Sequence, residues 1–223
     1  MINVEKISKE FRSGRGLVNA VCNLSLTVPR GSILSVKGKS GSGKTTLLNC
    51  IGGLDRPEKG KVLISGTDIH SLSEKKLCLF QRKNMGFVFQ HSNLLSYLSV
   101  FRNIAFPLEL NGFNKKDIIM RVSGLLEMTG LKGFEKAMPE ELSGGESQRV
   151  AFMRAIAHSP GVVLADEPTA SLDSETGKEL ARLMTETGRN RKCSVVIATH
   201  DSNIANFADM KINMTDGKIT GEG

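Results

Sequence analysis

No stretch of this 223-residue chain approaches the roughly 20 consecutive apolar residues that a membrane-spanning helix requires. Its first residues show no basic patch followed by an apolar core and a small-residue cleavage site, so no export signal is read there. These two absences lead to the expectation of a cytoplasmic protein. The four cysteines, Cys22, Cys50, Cys78 and Cys193, have no C-x-x-C spacing, which argues against a zinc site or a redox pair and for reduced, partly buried thiols. Internal repeats, low-complexity segments and dense basic tracts are also missing. The net charge of +7 favours an anionic partner, which nucleotide, membrane surface or nucleic acid would all satisfy. Spread along the chain as it is, that charge reads as a solvated basic surface.

What remains is an ordinary globular composition, 39% hydrophobic and 24% charged, long enough for one compact domain or one domain with a subdomain. Strands are expected over 2–7 and 21–28, the second from its mostly alternating apolar and polar residues. Pro29-Arg30-Gly31 turns the chain into a strand at 32–36, and a helix follows from Thr45 to Ile51, closed by Gly52-Gly53. After a turn at 57–60 comes a strand at 61–64. Helical patterning dominates from about 100 to 158, with helices over 118–128 and 146–158. The continuous apolar runs 161–165 and 194–198 read as parallel strands buried on both faces, separated by a helix from Ser174 to about Gly188. Asp216-Gly217 predicts a hairpin turn. The expected fold is α/β, with an α-helical subdomain over 91–158 inserted into a core formed by 1–90 and 159–223.

The chemistry is concentrated at the ends of strands. Gly38-Lys39-Ser40-Gly41-Ser42-Gly43-Lys44-Thr45 matches G-x-x-x-x-G-K-[ST] between an expected strand and an expected helix. Its glycines let successive N–H groups converge on phosphate oxygens, and the helix adds its positive end. Lys44 would reach the β- and γ-phosphates of a nucleotide, and Thr45 would offer a hydroxyl to Mg2+. Asp166 emerges at the carboxyl end of an apolar strand, where open parallel sheets place ligands, and suits Mg2+; Glu167 beside it suits a water attacking in line. His200 and Gln90 end two further strands in the same manner, His200 facing the phosphates and Gln90 either facing Mg2+ or water or merely terminating its strand. Phe11 suits stacking on an adenine ring or packing in the core. Ser143-Gly144-Gly145 opens a helix whose bared N–H groups make either a second anion site or a plain capped start.

Taken together, these residues resemble the ATP-binding subunit of an ABC (ATP-binding cassette) transporter over essentially the whole chain. The matching motifs are Walker A at Gly38 to Thr45, the Q-loop at Gln90, and the signature Leu142-Ser143-Gly144-Gly145-Glu146. Walker B is Val162 to Asp166 with Glu167, the D-loop Ser171-Leu172-Asp173, and the switch histidine His200. The resemblance implies a P-loop NTPase core with a mostly parallel sheet, an antiparallel β subdomain and the inserted helices. It implies ATP and Mg2+ as ligands, with Thr46 and Asp173 joining the nucleotide contacts and Phe11 in the place of the usual adenine-stacking tyrosine. Two copies would dock head to tail, Ser143 of one meeting the γ-phosphate held by Lys44 of the other. Glu146 replaces the commoner glutamine of the signature. A finer resemblance, carried by residues 52–57, 85–90 and the signature, is to the lipoprotein-release, macrolide-efflux and cell-division branch.

The resemblance therefore implies an ATPase driving a separate membrane permease, peripheral on the cytoplasmic face of the membrane, with the permease contact near residues 91–110. A regulatory ATPase signalling to a membrane partner without moving cargo is the alternative. Nucleic acid is not an expected partner. ABC ATPases that act on it carry long coiled-coil or zinc insertions or two cassettes, whereas one helical subdomain separates Lys44 from Ser143 here.

Overall fold

The computed structural model describes residues 1–13 and 16–222. In chain order the elements are β1 (Ile2–Ser13), β2 (Gly16–Val28), β3 (Ile33–Lys37), α1 (Lys44–Gly52), β4 (Lys59–Ile64), β5 (Thr67–Asp68), α2 (Glu74–Asn84), β6 (Met85–Val88) and α3 (Val100–Leu110). There follow α4 (Lys115–Met128), α5 (Gly144–Ile156), β7 (Val162–Asp166), α6 (Ser174–Arg191), β8 (Ser194–Thr199), α7 (Ser202–Ala205), β9 (Met210–Thr215) and β10 (Lys218–Glu222). Two sheets form. One is antiparallel in the order β2-β1-β4-β5; the other runs β10-β9-β3-β8-β7-β6 and is parallel except at the β9–β10 hairpin.

The central strands show why apolar runs make such a sheet. Successive side chains of a strand point to opposite faces. Val163, Ala165, Val195 and Ile197 therefore pack with α3, α4, α5 and α6. Their neighbours Val162, Leu164, Val196 and Ala198 pack on the other face with α1 and the antiparallel sheet. With both faces covered, every position of β8 is buried, and an alternating pattern has nothing to report.

The expected elements are present, with their limits adjusted by local chemistry. Asn114 caps α4 by accepting the Asp117 N–H at 2.9 Å, which starts that helix at Lys115 rather than at Ile118. Ser143 caps α5, which runs 144–156 instead of 146–158. β1 continues well past residue 7 because register shifts carry it through Lys9 and Glu10 to pair Phe11 with Val18. Two helices lacked a clear signal. α2 buries no residue, so it shows no apolar stripe; α3 carries Pro107 internally yet buries Val100, Ile104, Ala105 and Leu108. At the β9–β10 turn Asp216 and Gly217 both have positive φ, 48° and 75°, as a two-residue hairpin of this type requires.

Two histidines are held neutral by burial. His70 Nε2 lies 2.8 Å from the Cys50 carbonyl and His158 Nε2 lies 3.1 Å from the Met85 carbonyl, while His158 Nδ1 is buried without a partner. Burial lowers both pKa values below the usual 6.5, outweighing the carbonyl bonds that favour the charged ring. Between the lowered folded values and 6.5 the unfolded chain binds more protons, so stability is retained above about pH 6.5 and declines as pH falls through that window. Thermal melts from pH 8 to pH 5 should show this decline. His158→Gln, which keeps a donor for Met85 but does not titrate, should flatten the curve relative to the parent.

Candidate nucleotide-binding site

β3 delivers the chain to a glycine loop from which α1 departs at Lys44. Gly43 at the N-terminal boundary has φ of 100°, and no side chain caps the helix. A Cβ at Gly43 would fall on the Ala20 carbonyl oxygen, so this position needs glycine for both conformation and space. The uncapped N–H groups of the first turn are therefore presented outward, as a phosphate site needs. Lys44 is only 6% exposed. Its ammonium donates to the carbonyls of Gly38 at 2.9 Å and Lys39 at 3.1 Å, and lies 3.4 Å from Glu167 Oε1.

The ends of β7 and β8 bring the other groups to that loop. Thr45 Oγ1 donates to Asp166 Oδ2 at 2.8 Å, whereas Asp166 Oδ1 is buried with no partner. Burial raises the Asp166 pKa, the Thr45 bond and Lys44 opposing it and Glu167 adding to it. A buried carboxylate oxygen without a donor is suited to a cation. A threonine hydroxyl, a carboxylate and the Gln90 amide are hard oxygen donors of the kind Mg2+ takes. Among the described residues no cluster of three His, Cys, Asp or Glu is placed to hold a metal, so a cation here would rely on these oxygens and on phosphate.

Glu167 has a left-handed backbone, φ 46°, with its N–H on the Ala198 carbonyl at 2.9 Å, and this turn directs its side chain back over the strand ends. Its Oε2 lies 2.9 Å from His200 Nδ1 and accepts the His200 N–H at 3.4 Å. A cavity of about 620 Å³ collects these groups: Lys39, Ser40, Gly41, Gly43, Lys44, Thr45, Thr46, Gln90, Glu167 and His200 line it, with Val18, Ala20 and Ala170. Gly38 and Ser42 line an adjoining cavity of about 610 Å³ with Thr215 and Asp216.

Other expected site residues lie elsewhere. Phe11 is 42% exposed, across from Val18 on β1, with the Lys9 ammonium 5.2 Å from its ring, and it does not line the cavity. Nor do Ser143, Gly144, Gly145 and Asp173. Those four are neighbours of one another. Asp173 caps α6 through the N–H groups of Glu175 and Thr176, and a Cβ at Gly145 would come close to the Thr176 methyl group. Ser143 Oγ accepts the Glu146 N–H at 3.3 Å, while Glu146 Oε2 accepts the Ser143 N–H at 2.8 Å and its hydroxyl at 2.7 Å.

Sequence reading passed over Gln148. Its amide donates to the carbonyls of Gln90 at 2.6 Å and Phe89 at 3.2 Å, and the residue is 2% exposed. Arg154, one and a half turns further along α5, donates to the Ser92 and Asn93 carbonyls, so α5 holds the whole segment that carries Gln90. A signal existed: Gln148 is a polar residue sharing a helical stripe with the buried Ala151, Phe152 and Ala155. Gln148→Leu would leave two carbonyls without a donor. It should cost about 1 kcal/mol in denaturant unfolding, the net worth of the lost bonds, since Gln148 Oε1 is itself buried without a partner and its removal offsets part of the loss.

Comparison with known proteins agrees with this geometry. Residues 21–170 match the family described as ABC transporter. The methionine import ATP-binding protein MetN of Photobacterium profundum is 38% identical over 224 residues, covering 100% of this chain and 65% of that relative. The chain thus spans just under two thirds of that protein. It spans all of the lipoprotein-releasing system ATP-binding protein LolD of Bacteroides fragilis, 40% identical over 219 residues and 98% of this chain. The dimeric post-hydrolysis structure of the ATP-binding cassette MJ0796, bound to ADP and Pi, superposes with a TM-score of 0.92 at 35% identity, covering 100% of this chain and 98% of that one. A phosphate loop, two strand-end carboxylates and a detached signature helix, in a chain matched along its length, together establish that this protein belongs to the ABC transporter family, as one of its ATP-binding cassettes.

Proposed function

We propose that the chain binds and hydrolyses ATP as the nucleotide-binding subunit of a transporter, closing head to tail with a second copy to drive a separate membrane permease. One observation carries this reading. Lys44, Thr45, Glu167, His200 and Gln90 line one cavity, with Asp166 bonded behind Thr45, while Ser143-Gly144-Gly145 opens a helix outside it. A helix N-terminus that presents N–H groups but reaches no ligand in its own chain is suited to complete the site of another copy. The ADP- and Pi-bound dimer of a cassette with the same fold supports this arrangement.

In this reading the loop N–H groups and Lys44 bind the phosphates, and Phe11, paired across the strands with the cavity residue Val18, is the ring offered to the adenine. Thr45, Asp166 and Gln90 would hold Mg2+, which would supply positive charge against the phosphates. Glu167 accepts hydrogen bonding from the attacking water and orients it in line. His200 holds the Glu167 carboxylate by the 2.9 Å contact already present. The ammonium of Lys44 exchanges its two carbonyl acceptors for phosphate oxygens, which releases Glu167 from the 3.4 Å ion pair.

Among the described residues no helix is long and apolar enough to cross a membrane. In this reading the work of closure passes to a permease met at the membrane's cytoplasmic face. Residues 91–158 form the segment that transmits it, with the permease contact at 91–110. α5, at the end of that segment, starts at the signature and holds the Gln90 backbone through Gln148. The motifs at residues 52–57 and 85–90 and the signature, with 40% identity to LolD, favour a lipoprotein-release type of machine, or one that moves an extracytoplasmic part of its permease.

Glu167→Gln should lower steady-state ATP hydrolysis by about 10²–10⁴-fold, the range expected for a lost general base. It should preserve ATP binding and give an ATP-dependent shift from monomer to dimer in light scattering. Undiminished hydrolysis would remove Glu167 from its assigned role, and a monomer under saturating ATP-Mg2+ would remove the shared site. Lys44→Ala should abolish nucleotide binding altogether in a filter or fluorescence assay.

A further inference from the structure

The signature helix already holds an anion. Glu146, in its first turn, folds its carboxylate back onto Ser143, where Oε2 accepts both the backbone N–H at 2.8 Å and the hydroxyl at 2.7 Å. A serine hydroxyl has one proton to donate. While that proton lies on Glu146 it is not available to a phosphate oxygen. The same two bonds hold the Glu146 carboxyl below its usual range, so it is charged at neutral pH.

We propose that Glu146 acts as an internal competitor for the γ-phosphate, occupying Ser143 in the open cassette and weakening ATP-driven closure. This rests on the proposed function, in which Ser143 faces the phosphate held by the second copy. Closure then requires the Ser143 hydroxyl to turn from the carboxylate to the phosphate, and it brings a negative side chain next to a negative ligand. Both effects oppose association, and the second is electrostatic. A glutamine at this position would accept the Ser143 N–H through its carbonyl oxygen, carry no charge, and have an N–H left to direct at the phosphate. Glu146 is thus a positioning residue that sets the ATP concentration at which two cassettes close, acting through Ser143 and not on the reacting atoms.

A helix cap alone would explain the bonds but predicts no charge dependence of closure, since a glutamine completes the same capping box. That difference supplies the test. In the Glu167→Gln chain, light scattering across protein concentration at fixed ATP-Mg2+ yields the dimer dissociation constant with and without Glu146→Gln. The expected result is tightening by about 3- to 30-fold, the scale of one charge at a helix N-terminus, with the gap narrowing as salt rises. Glu146→Ala, which also removes the charge, should tighten closure at low salt even though it loses the carboxylate half of the capping box and melts at a lower temperature.

Equal dissociation constants for the parent and Glu146→Gln would overturn the competitor role while leaving the shared site intact. Weaker closure on Glu146→Gln would overturn it also, making the carboxylate a necessary support for Ser143. Absence of any ATP-dependent dimer in either chain would overturn the shared site and the competitor together.

Discussion

Lys44 is a buried ammonium group whose placement the rest of the site depends on. A charge this far from water must be compensated by other groups, and here two loop carbonyls and the Glu167 carboxylate do so. Those groups converge because β3, β7 and β8 run parallel and end at one edge. β3 continues into the glycine loop, and β7 and β8 release Glu167 and His200 beside it. The left-handed backbone at Glu167 and the glycine at 43 are local departures from ordinary geometry that this convergence requires. The arrangement suits an anion: phosphate oxygens can take over the Lys44 donors and free the carboxylate that now leans on it.

The same need for partners governs the start of α5. At α1 the N-terminus is left without a side-chain cap, whereas at α5 it is closed by Ser143 and Glu146. The two helix ends belong to one motif set yet differ in readiness. One is open to ligand, and the other is satisfied from within its own first turn. α5 links these ends mechanically, because Gln148 and Arg154 bind the backbone of residues 89–93, the segment from which Gln90 projects into the cavity. A rotation of α5 would therefore be felt at Gln90 without any further element.

Much of this was legible in the residues. The glycine loop was identified by spacing, and the strand-end positions of Asp166, Glu167 and His200 followed from apolar runs that admit only buried parallel strands. Asp216-Gly217 turned as its two residues require. Less legible were α2, which buries nothing and so has no periodic stripe, and α3, whose internal Pro107 argues against a helix that tertiary packing nonetheless sustains. The upper half of β1 was cut short because register shifts break its alternation, although that half carries Phe11.

The sequence by itself determined the local chemistry: a glycine loop of phosphate-binding spacing, a pair of carboxylates, a histidine and a helix capped by Ser143, each readable because it depends on neighbours within a few residues. Only the tertiary structure decided which of them meet. It set the Glu167 carboxylate between Lys44 and His200, left Asp166 Oδ1 without a donor, and placed Ser143 outside the cavity. It also made Gln148 the support of Gln90. The reason is physical. Strand pairing and core packing act between residues tens to more than a hundred positions apart, and the burial that gives each contact its strength exists only after the sheet has closed.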